Sequence, residues 1–173
     1  KFDAKIHSEV VVLYPGEYYV TSDNLFIYTV LGSCISVCLY DFRKKIGGMN
    51  HFMLSGVPNA GNMNEDNFLN QSTRYGMAAM EVLINNILKK GGEKKSFRAK
   101  VFGGSKMIRI KNISNNVAEN NIAFVQWFLK AEGIPIEAID VGGANARKIY
   151  FNPVTEKVYM KKIVPDIKEL EQE

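Results

Sequence analysis

Between Thr29 and Leu54 the chain reads TVLGSCISVCLYDFRKKIGGMNHFML, two short apolar runs separated by the polar segment Asp41 to Lys45. This pattern closes most simply as a hairpin, and in a hairpin the turn length decides which side chains share a face. From Ile35 the residues alternate, with Ile35, Val37 and Leu39 on one face and Ser36, Cys38 and Tyr40 on the other. An even turn, Phe42 to Lys45, sets Ser36 opposite His51 and Cys34 opposite Met53. Cys34 and His51 then share a face as diagonal neighbours, roughly 7 to 8 Å apart at the backbone. A slip of one residue sends them to opposite faces.

The same stretch holds both cysteines and one of the two histidines. A cysteine becomes a nucleophile when a base, a cation or backbone N–H groups stabilise its thiolate. Gly32 and Ser33 precede Cys34 where one run stops and the next begins, so amides there can turn toward the thiol and toward an oxyanion beside it. His51 is the candidate base. From the residues alone two readings stay open for Cys34, a nucleophile or a small core residue. Cys38, deeper in the alternating run, reads as packing. A zinc site from Cys34, Cys38 and His51 needs a fourth ligand such as Asp41, and one strand holds the two cysteines too far apart for easy chelation. Nor do neighbours on one strand readily reach disulfide geometry.

At 173 residues, 46% hydrophobic and 23% charged, the chain suits one domain with a real core. The expected organisation is a single domain over 1–173, with a core from about residue 9 to 163 and an acidic tail over 164–173. A net charge of +4 is mixed along the chain and makes no basic run or nucleic-acid framework. No apolar segment approaches the roughly 20 residues of a bilayer span, so a cytoplasmic protein without membrane insertion is expected. Neither a metal nor a cofactor is expected.

The remaining pattern supplies a layered fold. Glu9 to Leu13, Glu17 to Val20, Leu25 to Leu31, Gly47 to Leu54, Phe97 to Phe102, Ile136 to Val141, Lys148 to Phe151 and Val158 to Ile163 read as strands, the last two as a hairpin across Asn152-Pro153. Pro15-Gly16 is a turn signal, and His7 reads as an exposed, uninvolved histidine. Tyr75, Ala78, Ala79, Val82, Leu83, Ile87 and Leu88 form a helical stripe ended by Lys89-Lys90-Gly91-Gly92. A second helix starts near Ser114 to Asn116 and runs to Glu132, with Val117, Ile122, Val125, Phe128 and Leu129 on its apolar side and Trp127 at the core's border. Ser55 to Ser72 is a long Asn-rich loop.

The blocks TVLGSCISVCLYD, GGMNHFML, VFGGSKM, VAENNIAFVQWFL and DVGGANARKIYFNP, in that order across most of residues 25 to 163, resemble the CheD family of bacterial chemoreceptor glutamine deamidases. The resemblance implies an α/β class, a layered α/β/α sandwich around a mixed, largely antiparallel sheet. It implies a cysteine amidase whose nucleophile falls on Cys34, whose histidine falls on His51 and whose third member falls on Thr29, with Gly32 and Ser33 shaping the oxyanion site. It further implies receptor cytoplasmic helices as substrate and the phosphatase CheC as a partner, which leaves a non-catalytic adaptor as the alternative. Two departures from the family pattern stand out: Ala118 and Asn120 before Asn121, where a glycine and an arginine are usual, and Ala146 in place of a glycine ahead of Arg147. A thiol activated this way is expected to alkylate at lower pH than an ordinary cysteine.

Overall fold

A computed structural model describes residues 1–54, 71–106 and 117–164. Its strands are β1 (Phe2–Asp3), β2 (Ser8–Val12), β3 (Tyr18–Thr21), β4 (Phe26–Leu31), β5 (Ile35–Asp41), β6 (Ile46–Asn50), β7 (Phe97–Gly103), β8 (Ile136–Val141), β9 (Ala146–Phe151) and β10 (Val158–Ile163). Two α-helices, α1 (Gln71–Lys89) and α2 (Val117–Ala131), and a short 3-10 helix at Lys94–Ser96 complete the described elements. The Asn-rich stretch up to residue 70, the start expected for the second helix and the residues expected as an acidic tail beyond 164 lie outside the described residues.

The strands form two mixed sheets. One has the order β1-β2-β4-β9-β10 and the other β3-β6-β5-β7-β8. Pairing is antiparallel except between β2 and β4 and between β7 and β8.

β5 explains how they stack, because every one of its residues is buried. Ile35, Val37 and Leu39 face α1 and α2, packing with Met80, Leu83, Ile87, Phe124, Val125 and Phe128. Cys38 and Tyr40, on the opposite face, pack against Leu25, Ile27, Leu31, Ile149 and Phe151 of the other sheet. A strand apolar on both faces belongs in a middle layer, whereas β4 and β9 bury mainly one face.

The α/β class and the mixed, largely antiparallel pairing are as the sequence indicates. The layers run helices, then sheet, then sheet. Both helices pack on the same face of the central sheet, and its other face is covered by strands. This order lets β4 look inward at β5 and β6.

The expected hairpin register is observed. Cys38 pairs with Met49 and Asp41 with Ile46, which leaves Phe42 to Lys45 as the turn. A further bridge between Ile35 and Phe52 keeps the same register beyond the end of the regular ladder. Asp41 holds the turn closed, its carboxylate accepting from the N–H groups of Arg43 (2.8 Å), Lys44 (2.9 Å) and Glu93 (2.8 Å).

The helix α1 is where predicted but turned about its axis. Its buried face is Gly76, Met80, Leu83, Ile84 and Ile87, while Tyr75, Val82 and Leu88 are exposed. The reason sits at Gly76: a Cβ there would stand 2.5 Å from Leu54 Cδ2 and 2.9 Å from the Phe124 ring. A glycine at the point of closest approach adds nothing to an apolar stripe counted from side chains, yet it decides which face packs. In α2, Asn121 and Phe124 join the buried face with Val125, Phe128 and Leu129, and Trp127 is 43% exposed with its ring against Phe124.

Candidate active site

The site lies between the two sheets, where the chain crosses from one to the other. β4 ends at Leu31 in the outer sheet and β5 begins at Ile35 in the central one, so Gly32, Ser33 and Cys34 form the crossing. Thr29 is buried on the inward face of β4 with Ile27 and Leu31. In the hairpin register Cys34 and His51 share the face of the central sheet that looks at β4. Cys34 is partly buried, and His51 is 4% exposed.

A short chain of hydrogen bonds holds the imidazole. Thr29 Oγ1 lies 2.7 Å from His51 Nδ1 and donates to the Leu13 carbonyl at 2.9 Å. A hydroxyl has one proton. With that proton on the Leu13 carbonyl, Thr29 Oγ1 accepts from His51 Nδ1–H, which leaves Nε2 as the unprotonated nitrogen. The network therefore selects the tautomer in which Nε2 can take a proton from a thiol.

The backbone of His51 is fixed from the other side. Its N–H donates to the Glu17 carbonyl at 3.0 Å, and its carbonyl accepts from Gly16 N–H at 2.8 Å, which extends the β3–β6 pairing. Gly16 has a φ of 86° and follows Pro15 in a turn closed by Glu17 N–H donating to the Tyr14 carbonyl. Pro15-Gly16 is legible as a turn in the sequence, but nothing in its spacing connects it to His51.

All three carbonyls of the crossing are tied to the scaffold. Gly32 O accepts from Ser105 N–H, Ser33 O from the Asn121 carboxamide and Cys34 O from Gly104 N–H, each at 2.8 Å. Peptide planarity sends the N–H of the following residue the opposite way. The backbone N–H of Cys34 acts on its own sulfur to oppose the rise of the thiol pKa. The loop that supplies Gly104 and Ser105 is held by Arg147, which is 2% exposed. Arg147 pairs with Asp140 at 2.7 Å, donates to Ser105 Oγ at 2.6 Å and to the Gly142 carbonyl at 2.8 Å. Sequence reading links neither Asn121 nor Arg147 to the cysteine; only long-range contacts bring them there.

Burial governs the charges. Desolvation pushes the Cys34 thiol up, with the backbone N–H opposing it, and pushes His51 down. Both shifts favour the uncharged form of each group. The desolvation of Cys34 acts against the low-pH ionisation that the sequence leads one to expect, because the sequence shows the base but not the burial. Cys38 is fully buried opposite Met49, and burial raises its thiol well above the usual range, as suits a packing residue. His7 is exposed in the turn between β1 and β2. Among the described residues no group of three or more His, Cys, Asp or Glu could hold a metal ion.

Comparison with known proteins gives this geometry a family. The model for CheD chemotactic sensory transduction matches residues 57–162. The probable chemoreceptor glutamine deamidase CheD 1 of Shewanella oneidensis is 45% identical over 162 residues, covering 94% of this chain and 76% of that relative. The chain belongs to the CheD family. The probable chemoreceptor glutamine deamidase CheD of Herminiimonas arsenicoxydans is also 45% identical, across 94% of this chain and 77% of its own. The CheD 1 of Burkholderia thailandensis is 42% identical across 98% of this chain and 72% of its own. The CheD family model begins after His51, so Thr29, Cys34 and His51 lie before the matched residues, within the span that precedes Leu54. No described helix is long and apolar enough to cross a membrane.

Proposed function

We propose that this chain is a protein-glutamine deamidase that converts glutamine side chains of methyl-accepting chemotaxis receptors to glutamate, with Cys34 as nucleophile, His51 as acid and base, and Thr29 as the residue that orients His51. The observation that carries this reading is the 2.7 Å contact between Thr29 Oγ1 and His51 Nδ1, which leaves Nε2 as the open nitrogen of a histidine that shares a sheet face with Cys34. The names of the CheD relatives supply the substrate class.

The chemistry follows from the protonation states. As Cys34 Sγ forms a bond to the glutamine Cδ, its proton passes to His51 Nε2 and the carbonyl pair moves onto oxygen. The oxyanion is held by the Cys34 N–H and the amides of the crossing that includes Gly32 and Ser33. Collapse breaks the C–N bond, and the imidazolium returns its proton to the departing nitrogen, releasing ammonia and leaving a thioester. Water then gives a proton to Nε2 while its oxygen attacks the thioester; C–S cleavage yields glutamate and the thiol is reprotonated. His51 starts and ends neutral, which suits a desolvated imidazole. Proton transfer concerted with attack removes any need for a standing ion pair.

This reading puts the reaction in the cytoplasm, on receptor signalling helices, and includes docking to the phosphatase CheC in competition with receptors. An adaptor role without catalysis has no observation of its own, since a pure binding surface needs neither the Thr29–His51 contact nor the crossing amides. The test is incubation with a receptor cytoplasmic fragment, followed by peptide mass spectrometry. Wild type converts specific glutamines to glutamate and Cys34→Ala does not; absent conversion, or equal conversion by both, rejects the reading.

A further inference from the structure

We infer that Asn121 is a positioning residue for the oxyanion site: its carboxamide fixes the plane of the Ser33–Cys34 peptide and so aims the Cys34 N–H at the reacting carbonyl. The inference rests on the deamidase reading above and adds a residue to it.

Asn121 lies on the buried face of α2 and is fully enclosed. Its Nδ2 donates to Ser33 O at 2.8 Å, and its Oδ1 accepts from Leu54 N–H at 2.8 Å. One planar side chain thus joins the crossing that carries the nucleophile to the strand end just beyond His51. The bond to Ser33 O matters because carbonyl and N–H point in opposite directions across a peptide. Holding Ser33 O toward α2 turns the Cys34 N–H away from the helix, to the side where the thiol stands. The effect of that N–H on the sulfur agrees with this orientation.

The neighbouring carbonyls do not offer the same control. Gly32 O and Cys34 O are held by the backbone N–H groups of Ser105 and Gly104. Ser33 O is the one of the three held by a side chain. A flip of the Ser33–Cys34 peptide turns on ψ of Ser33 and φ of Cys34, and the carboxamide bond to Ser33 O is what opposes it. The role also needs a donor and an acceptor at once, which an amide supplies and neither leucine nor alanine does.

The structural alternative is that Asn121 merely anchors α2. The two differ in what they do to turnover. Asn121→Leu keeps the number and branching of the side-chain heavy atoms and removes both bonds; Asn121→Ala removes them without added bulk at the polar backbone. Each is assayed on the receptor fragment beside wild type and beside Leu83→Ala, which removes a buried α1 side chain away from the crossing and lowers the thermal midpoint without touching the site. The expected result is a kcat lower by about 10- to 100-fold, below the 10²–10³ of deleting an oxyanion donor outright, with KM within about twofold of wild type and with Leu83→Ala retaining wild-type kcat. Wild-type kcat in both Asn121 variants, or a loss that Leu83→Ala reproduces at equal thermal midpoint, overturns the inference. An inactive wild type would instead remove the deamidase reading on which it stands.

Discussion

Thr29 of the outer sheet and His51 of the central sheet meet at 2.7 Å across the interface between the two layers. The contact joins strands that are not neighbours in any sheet. It exists because β4 faces inward and its buried hydroxyl is itself oriented by the Leu13 carbonyl.

Removing that hydroxyl while keeping the β-branched shape tests its role. Thr29→Val leaves His51 Nδ1–H without its acceptor and releases the tautomer preference, so kcat should fall by about 10- to 100-fold, less than the roughly 10²–10⁴ of a general base itself, because Thr29 only orients it. Thr29→Ser restores the oxygen and should recover most of the rate. A Thr29→Val enzyme as fast as wild type in a steady-state deamidation assay would remove Thr29 from the mechanism.

The burial of Cys34 and His51 sets the pH behaviour. Because desolvation lowers the His51 pKa, its neutral form persists below the usual imidazole range, and the acid limb of kcat/KM should fall below pH 6.5. Alkylation of Cys34 should have its midpoint above that of an ordinary cysteine. Stability carries the same sign: between the folded and unfolded histidine pKa values the unfolded chain binds more protons, so stability declines as pH drops through that window. Denaturant midpoints for wild type and His51→Gln across this range read the effect, which the variant should lack; a Cys34 alkylation midpoint well below the ordinary value would contradict the first part.

Gly103 has a φ of 114°, and a Cβ there would stand 2.1 Å from the Cys34 carbonyl oxygen. Gly103→Ala should therefore cost about 1–3 kcal/mol of stability and also displace the crossing, lowering turnover further than the stability loss explains. Gly133→Ala, at a φ of 68° with nothing within 4 Å, should cost stability alone. Thermal melts paired with turnover separate the two, and equal turnover in both variants would mean that the crossing absorbs the clash.

Arg147 is buried and fully engaged with Asp140, Ser105 and the carbonyls of its turn. Arg147→Met should cost about 3 kcal/mol, because Asp140 and several carbonyls lose their donor together. Arg147→Lys should recover little, since an ammonium cannot reproduce the planar fork. Chemical denaturation measures both; a lysine variant as stable as wild type would show that charge alone suffices.

Much of this architecture follows from local pattern. A polar turn of even length and the alternation from Ile35 onward are enough to put Cys34 and His51 on one face, because pleat and turn length leave one register that buries both apolar sets. The helices and most strands are legible for the same reason. The face of α1 is not: Gly76 directs it by being small, and periodicity counts only what is present.

What remained for the tertiary structure was everything that depends on two layers meeting. The order helices, sheet, sheet comes from which face of β5 each neighbour covers, and periodicity along a strand apolar on both faces does not say which. From that order follow the reach of Thr29 to His51, the carboxamide of Asn121 on Ser33 and the desolvation that pushes the Cys34 thiol up. The sequence by itself determined that Cys34 and His51 share a face; packing between layers decided which hydroxyl, carboxamide and amides hold them.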